Sequence, residues 1–342
     1  YPRTEKTKEP SFTQNWLINN KNKIAQLIVS AREINKFHGT FLSSIMKYQV
    51  NGRIHGEINQ LRGDNGGTVS GRLSMSNPNL QQVPARNKDF GPKIRSLFIP
   101  EEGYKWGSFD YSQQEPRMTV HYAASIGEGY EGSNELVQAY QNSQADFHQT
   151  VADLVGIERT QAKTIGLGLM YGMGKQKLAI SLGVSKDEAN ELIIKYNKKV
   201  PFVKKLSDRC KYAADEKGVI RTKKGRKCRF DMWETRDFGL HVAEKYEDAV
   251  AKYGKDNIKR AFTYKALNRL IQGSSADQTK QSMLDCYEDG HLPILQIHDE
   301  LCFNVKDEKH AKQIKKKMQN AIQFKVPSVV EYGLGESWGD AK

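Results

Sequence analysis

Two short apolar runs that each carry an aspartate at a break constrain this chain more than anything else in it. In KWGSFDYS, Trp106, Phe109 and Tyr111 read as a strand with Asp110 near its end. In PILQIHDELCFNV, two apolar runs flank His298, Asp299 and Glu300, as in a hairpin whose turn carries the acids. If the two strands are neighbours in one sheet, both carboxylates can project from the same edge. The residues between them are mostly helical in pattern from 118 to 215. A strand-bearing first part, a helical middle and a strand-bearing last part predict an α+β fold, a sheet with a large helical insertion.

The rest of the chain fills in around that frame. Residues 1–20 are polar, with Pro2 and Pro10, and predict a poorly ordered lead-in. Apolar spacing predicts helix over 21–48, and Gly, Asn and Asp with short apolar pieces predict strands and turns over 50–80. Ile94–Ile99 and Tyr104–Tyr111 read as strands around an EEG turn. A basic hairpin or loop is expected at 217–230, helix over 240–289, strand over 292–305 and a charged helix over 307–324.

Charge narrows the partners. The net charge is +13 and the pI near 9.3, an excess that favours polyanions, nucleic acid above all. Cys210, Cys228, Cys286 and Cys302 form no C-x-x-C pair, which argues against a zinc site or a disulfide framework. His38, His55, His121, His148, His241, His291 and His310 show no metal-ligand grouping, and no run approaches the length of a membrane span.

The chemistry follows from the acids and one helix. Mg²⁺ is held by one or two carboxylates plus substrate phosphates. Two such ions, roughly 3.5–4 Å apart, would activate a hydroxyl and stabilise a leaving pyrophosphate. Arg159, Lys163, Leu167 and Tyr171 recur every four residues and share one helix face. The two cations suit phosphates; Leu167 and Tyr171 suit a sugar and base. Gly166, Gly168 and Gly172 weaken that helix and fit close approach by a substrate or a bend. Taken singly, each aspartate reads more readily as a solvated turn residue, and the stripe slightly more readily as a solvated face over a core. Taken together they describe a nucleotidyl transferase.

These residues resemble the motifs of the family A, DNA polymerase I-like polymerases, with details similar to phage members. Asp110-Tyr111-Ser112-Gln113-Gln114-Glu115-Pro116-Arg117 resembles the first motif; Arg159, Lys163, Tyr171 and Gly172 the second; His298, Asp299 and Glu300 the third. GRLSMSNPNLQQVP and NRLIQGSSAD resemble two further family segments. The likeness runs from about Ala31 to Lys342. It implies a right-hand architecture: a partial thumb or lead-in at 1–49, an antiparallel palm sheet built from 50–117 and 263–342, and fingers at 118–262. It also implies template-directed addition of dNTPs to a primer 3′-hydroxyl with two Mg²⁺ ions. Asp110, Asp299, Glu300 and Lys163 would be catalytic, with metal at Asp110, Tyr111 and Asp299. Arg159, Lys163, Leu167, Tyr171, Glu115, Gln113 and His298 would meet the dNTP, Glu115 excluding a 2′-hydroxyl. Arg72, Asn79, Gln81, Asn268 and Gln272 would meet primer-template DNA.

The resemblance further implies the cytoplasm of a phage-infected host, and an exonuclease and a processivity factor as separate or upstream partners. Leu167 replaces an aromatic residue, Pro116 a Leu, and Tyr264 an Arg. Trp233–Arg260 is longer than the bacterial counterpart. The basic run Arg221, Lys223, Lys224, Arg226, Lys227 and Arg229 reads either as a template grip or as a solvated hairpin. Two other functions compete. A phage-type single-subunit RNA polymerase differs at Glu115 and at the acid after Asp299. An idle DNA-binding module would not need Asp110 and Asp299 intact.

Overall fold

The computed structural model describes residues 1–4, 7–63, 66–84, 87, 89–142, 146–237, 239 and 241–341. Lys342, the end of the likeness, lies outside them. Thr13 accepts from the Trp16 amide and starts α1 (Gln14–Ile18), which buries Leu17; the polar lead-in therefore contains a helix. Asn22 caps α2 (Lys23–Lys36), which runs through a π-helical stretch, Phe37–Ser43, into α3 (Ser44–Lys47). Two antiparallel pairs follow, β1 (Gln49–Val50) with β2 (Arg53–Ile54) and β3 (Glu57–Asn59) with β4 (Ser74–Ser76). The strand expected at Ile94–Ile99 is instead a turn after α4 (Gly91–Arg95). Pro92 explains the helix: its fixed φ suits a first helical turn, where an amide hydrogen would go unused.

After β5 (Lys105–Tyr111) the chain is helical: α5 (Gln114–Ala124), α6 (Ser133–Asn142), α7 (Phe147–Val155), α8 (Arg159–Met170), α9 (Lys175–Leu182), α10 (Lys186–Lys199) and α11 (Pro201–Lys217). Phe147, Ile165, Leu178, Tyr196, Phe202 and Leu206 sit at the centre of this bundle, each at most 2% exposed. The basic stretch is a hairpin of β6 (Val219–Arg221) and β7 (Lys227–Arg229). Helix was expected over 240–289; two helices, 246–253 and 266–288, lie there, but a strand interrupts them, and β8 (Trp233–Thr235), α12 (Tyr246–Tyr253) and β9 (Ile258–Arg260) form a small unit in which β8 pairs with β9. Trp233 ties it together, edge-on to Tyr246 at 5.0 Å and under the Arg260 guanidinium at 4.6 Å. The chain closes with α13 (Ala266–Glu288), β10 (Pro293–Ile297), β11 (Glu300–Val305), α14 (Glu308–Asn320) and β12 (Val330–Gly335).

The main sheet has the order β10-β11-β5-β12, antiparallel throughout. Its period-two alternation sorts the side chains. Phe109, Tyr111, Leu301, Phe303 and Val305 face α13 and α14, while Trp106, Cys302, Leu295 and Ile297 face the N-terminal segments. Gly107 lies where a Cβ would collide with the Val305 side chain, so close strand packing requires glycine there.

Candidate active site

Register decides which side chains meet. Glu300 and Glu331 are the direct partners of Asp110 on its two neighbouring strands, so the three acids form a row across the sheet. His298 adopts a left-handed φ of 55°, which turns β10 into β11. The Tyr111 amide donates to the Asp299 carbonyl at 3.4 Å, bringing the second aspartate against the end of β5. Asp110 is exposed at the end of β5, yet the protein packed around it still withdraws its carboxylate partly from water. That desolvation, followed by repulsion from Asp299, Glu300 and Glu331, pushes its carboxyl up to about 7. Asp299 is likewise raised, by desolvation above all, with Arg72 and His298 pulling the other way. Among the described residues neither aspartate has an ion-pair partner.

Two carboxylates that repel each other, with no ion-pair partner among the described residues, fit a divalent cation. Among the described residues no group of three or more His, Cys, Asp or Glu makes a complete metal cage. Mg²⁺ does not need one, because it keeps waters and takes substrate phosphates. Glu300 is half-buried; its carboxylate accepts from Trp338 Nε1 at 3.3 Å and lies 3.4 Å from Cys302 Sγ. The Tyr111 side chain is no candidate ligand: it is buried, its hydroxyl 2.5 Å from Ser282 Oγ and 2.6 Å from the Met318 carbonyl. Only its backbone stays at the acid edge.

Beside the acids lies a second network. Glu115, in the first turn of α5, accepts from Arg72 at 2.6 Å and from the Tyr171 hydroxyl at 2.5 Å. Gln272 of α13 also reaches that hydroxyl. Residues from four segments thus join one network, with Arg72 and Tyr171 on the Glu115 carboxylate and Gln272 on the Tyr171 hydroxyl. Tyr171 is the C-cap of α8, and burial with the Glu115 charge raises its pKa. On α8, Lys163 is exposed with no partner among the described residues. Arg159 donates through Nε at 2.8 Å and Nη2 at 2.5 Å to Asp146, the N-cap of α7. Leu167 packs on the helical core.

The glycines of α8 serve a different purpose from the one expected. Gly166 abuts the Tyr196 hydroxyl and Gly168 abuts Met173 and Leu178, so both allow close helix packing on the buried side. Gly172 has φ +69° and lies against Tyr264. Gln113 also differs: its carbonyl oxygen accepts from the Phe147 amide at 2.9 Å and the Tyr140 hydroxyl at 3.3 Å, joining β5 to the helical part. Of the expected DNA contacts, Gln81 Nε2 donates to Gln296 Oε1 at 2.9 Å, beside the acid hairpin. Asn79 caps a 3₁₀ turn through the Gln81 amide at 3.1 Å. Asn268 and Gln272 are a turn apart on α13.

Three residues were missed. Glu331 is a lone acid in a short strand, and only the register reveals it. Asp146 carries the N-cap signal before FHQTVADLV but nothing that names Arg159 as its partner. His148 is buried near Arg159 and Lys163, its Nδ1 unpaired, and its pKa is pushed down to about 4 by burial.

A carboxylate pair on a four-stranded antiparallel sheet, with the end of α8 tied beside it through Tyr171 and Glu115, points to the right-hand polymerase class, and solved structures agree. The structure described as the POL domain of Pol1 from M. smegmatis in complex with DNA primer-template and dNTP matches 99% of this chain and 58% of its own, with a TM-score of 0.79 and 27% identity. The profile of DNA polymerase family A matches residues 1–340. The chain belongs to DNA polymerase family A.

Relatives include a DNA-directed DNA polymerase of Pseudomonas phage M6, 37% identical over 97% of this chain and 54% of its own length. DNA polymerase DpoZ of Vibrio phage phiVC8 is 30% identical over 98% and 53%. The thermostable DNA polymerase I of Thermus filiformis is 30% identical over 99% and 39%. The chain spans about half the length, or less, of these relatives. No helix among the described residues is long and apolar enough to cross a membrane.

Proposed function

We propose that this chain is the polymerising part of a template-directed DNA polymerase, extending a primer 3′-hydroxyl with dNTPs and releasing pyrophosphate. The observation that carries the reading is the pairing of Asp110 and Asp299, two carboxylates that repel each other and have no ion-pair partner among the described residues. Asp110 and Asp299, with the backbone at Tyr111, would hold two Mg²⁺ ions. Bound there, the ions would supply Lewis-acid stabilisation of the attacking and leaving oxygens.

The chain's own residues do the rest. Lys163, without a partner among the described residues, meets the triphosphate, and Arg159 joins it by exchanging Asp146 for phosphate. Glu115 is held rigid by Arg72 and Tyr171 and stands as the wall beside the sugar C2′. Leu167 and Tyr171 present an apolar surface to sugar and base. Arg72, Asn79, Gln81, Asn268 and Gln272 face the primer-template, where minor-groove acceptors vary little with sequence. In this reading 50–117 and 263–342 form the palm, 118–262 the fingers, and 1–49 the base of a thumb.

The test is primer extension on a defined template with Mg²⁺ and either dNTPs or rNTPs. Asp110→Asn and Asp299→Asn should lose single-turnover extension while keeping primer-template affinity. Near-normal extension by either variant would overturn the assignment.

A further inference from the structure

The last turn of the chain packs on the sheet face that carries Asp110. β12 lies on one side of β5 and β11 on the other. Past Gly335, the end of β12, the chain folds back over β5, and Trp338 stacks on Trp106 at 6.0 Å with 20° between the rings. The Trp338 amide donates to the Phe98 carbonyl at 2.9 Å. The Phe98 and Trp338 rings meet at 5.6 Å, nearly perpendicular, and the Arg95 guanidinium lies 4.3 Å over the indole. Ser337 donates to Asp340 at 2.6 Å and closes the turn. Two glycines let it dock. A Cβ on Gly339 would come 2.8 Å from the Pro92 carbonyl oxygen, and one on Gly335 would come 2.6 Å from the Ala341 amide.

Trp338 is 1% exposed, so its only polar atom cannot reach water and needs an acceptor inside the protein. That acceptor is Glu300, 38 residues earlier in the chain, whose Oε1 lies 3.3 Å from the indole nitrogen. The Cys302 thiol donates to the same oxygen at 3.4 Å. Among the described residues, Oε2 has no hydrogen-bond partner and the carboxylate has no ion-pair partner.

Register makes this choice of acceptor consequential. Glu300 stands directly across from Asp110 on the neighbouring strand. Like charges in that position repel, so an untethered glutamate side chain would swing away from Asp110. The indole and the thiol hold it by one oxygen. Neither carries a charge. A lysine or arginine in their place would neutralise the carboxylate, whereas these two donors fix its orientation and leave its charge intact.

We propose that Trp338 is a positioning residue for nucleotide addition: the turn at 337–341 sets the Glu300 carboxylate opposite Asp110 through the indole N–H. The consequence for nucleotide addition rests on the polymerase reading; the coupling of the indole to Glu300 does not.

The experiment has a spectroscopic arm and a kinetic arm. Trp16, Trp106, Trp233 and Trp338 give four indole N–H signals in the isotope-labelled protein, and single Trp→Phe replacements assign them. In Glu300→Ala the Trp338 signal should move upfield, while those of Trp16 and Trp233 stay in place. An unmoved Trp338 signal would overturn the proposal. Trp338→Phe keeps a ring in the stack and removes the N–H. In single-turnover primer extension at saturating dNTP it should slow addition roughly tenfold and change primer-template affinity by less than about twofold. In a Glu300→Ala background the same replacement should cost less than about twofold more, because the indole acts through Glu300. Equal losses in the two backgrounds would make Trp338 a packing residue and overturn the proposal, as would a wild-type rate in Trp338→Phe. The indole arm retains Trp338 and assigns it by elimination, so it decides the matter even where Trp338→Phe does not fold. It also needs no catalysis, so failure of the wild type to extend a primer would count against the polymerase reading alone.

Discussion

Asp110→Asn should make the metal-free protein more stable while it destroys the chemistry. The carboxyl rises from 3.8 to about 7 in the folded chain, driven by desolvation and then by Asp299, Glu300 and Glu331. At about 1.4 kcal/mol per unit, that rise corresponds to roughly 4 kcal/mol of strain in the ionised form. Solvent reaches one side of Asp110 and screens the charge, which brings the expected gain to about 1–2 kcal/mol. A raised carboxyl pKa leaves stability intact below the unfolded value and removes it as pH climbs through the folded one. The variant and the wild type should therefore melt together near pH 4, part between pH 4 and 7, and stay apart above that. The assay is thermal unfolding in EDTA across this range, with an expected Tm gap of about 1–3 °C at pH 8. Added Mg²⁺ should then raise the wild-type Tm more than the variant's, closing the gap. A wild type as stable as the variant at pH 8 in EDTA would refute the claim that the acids repel one another for want of a cation.

Lys163→Ala should reduce kcat/KM for dNTP at least tenfold, as expected for a charged phosphate contact of about 1.5–3 kcal/mol; equal loss of DNA affinity would assign the residue to the duplex instead. Glu115→Ala should raise the ribo/deoxy ratio of kcat/KM by roughly 10- to 100-fold, and an unchanged ratio would remove Glu115 from the sugar pocket. His121 and His148 are buried neutral, with pKa values pushed down to about 4. Each should cost about 1.4 kcal/mol of stability per unit as pH falls from 6.5 toward 4, and His121→Gln should flatten that part of the acid-unfolding curve.

The readable parts of the chain were those whose pattern is local. Strand alternation predicted β5 and the acid hairpin, and four-residue spacing predicted the exposed side of α8. The sequence also pointed to Asp110 and Asp299 as a pair, although what joins them is a register set by six successive residue pairs between β11 and β5. Glu331 was invisible for the same reason: a lone acid becomes part of a row only once β12 docks. β8 and β9 pair across the whole of α12, and three-residue strands carry too little periodicity to be seen. Gly166 and Gly168 misled because a glycine that admits a substrate and one that admits a neighbouring helix look alike in sequence. Gln113 misled because its neighbours face the cleft while its own amide turns to α7.

The strand that bears Asp110 is central in its sheet, and both of its partners, β11 and β12, are made after residue 299. At roughly 5–20 residues per second, a ribosome would release β5 some 10–40 seconds before either partner exists. Throughout that interval the strand is open along both edges, flanked by helices that can already pack on themselves. The acids cannot come together early, so a nascent or prematurely stopped chain has its helical part but not the row of acids across the sheet. Translation thus imposes its own order on the molecule: the helices between the two aspartates are finished first, and the sheet that gathers the acids is finished last.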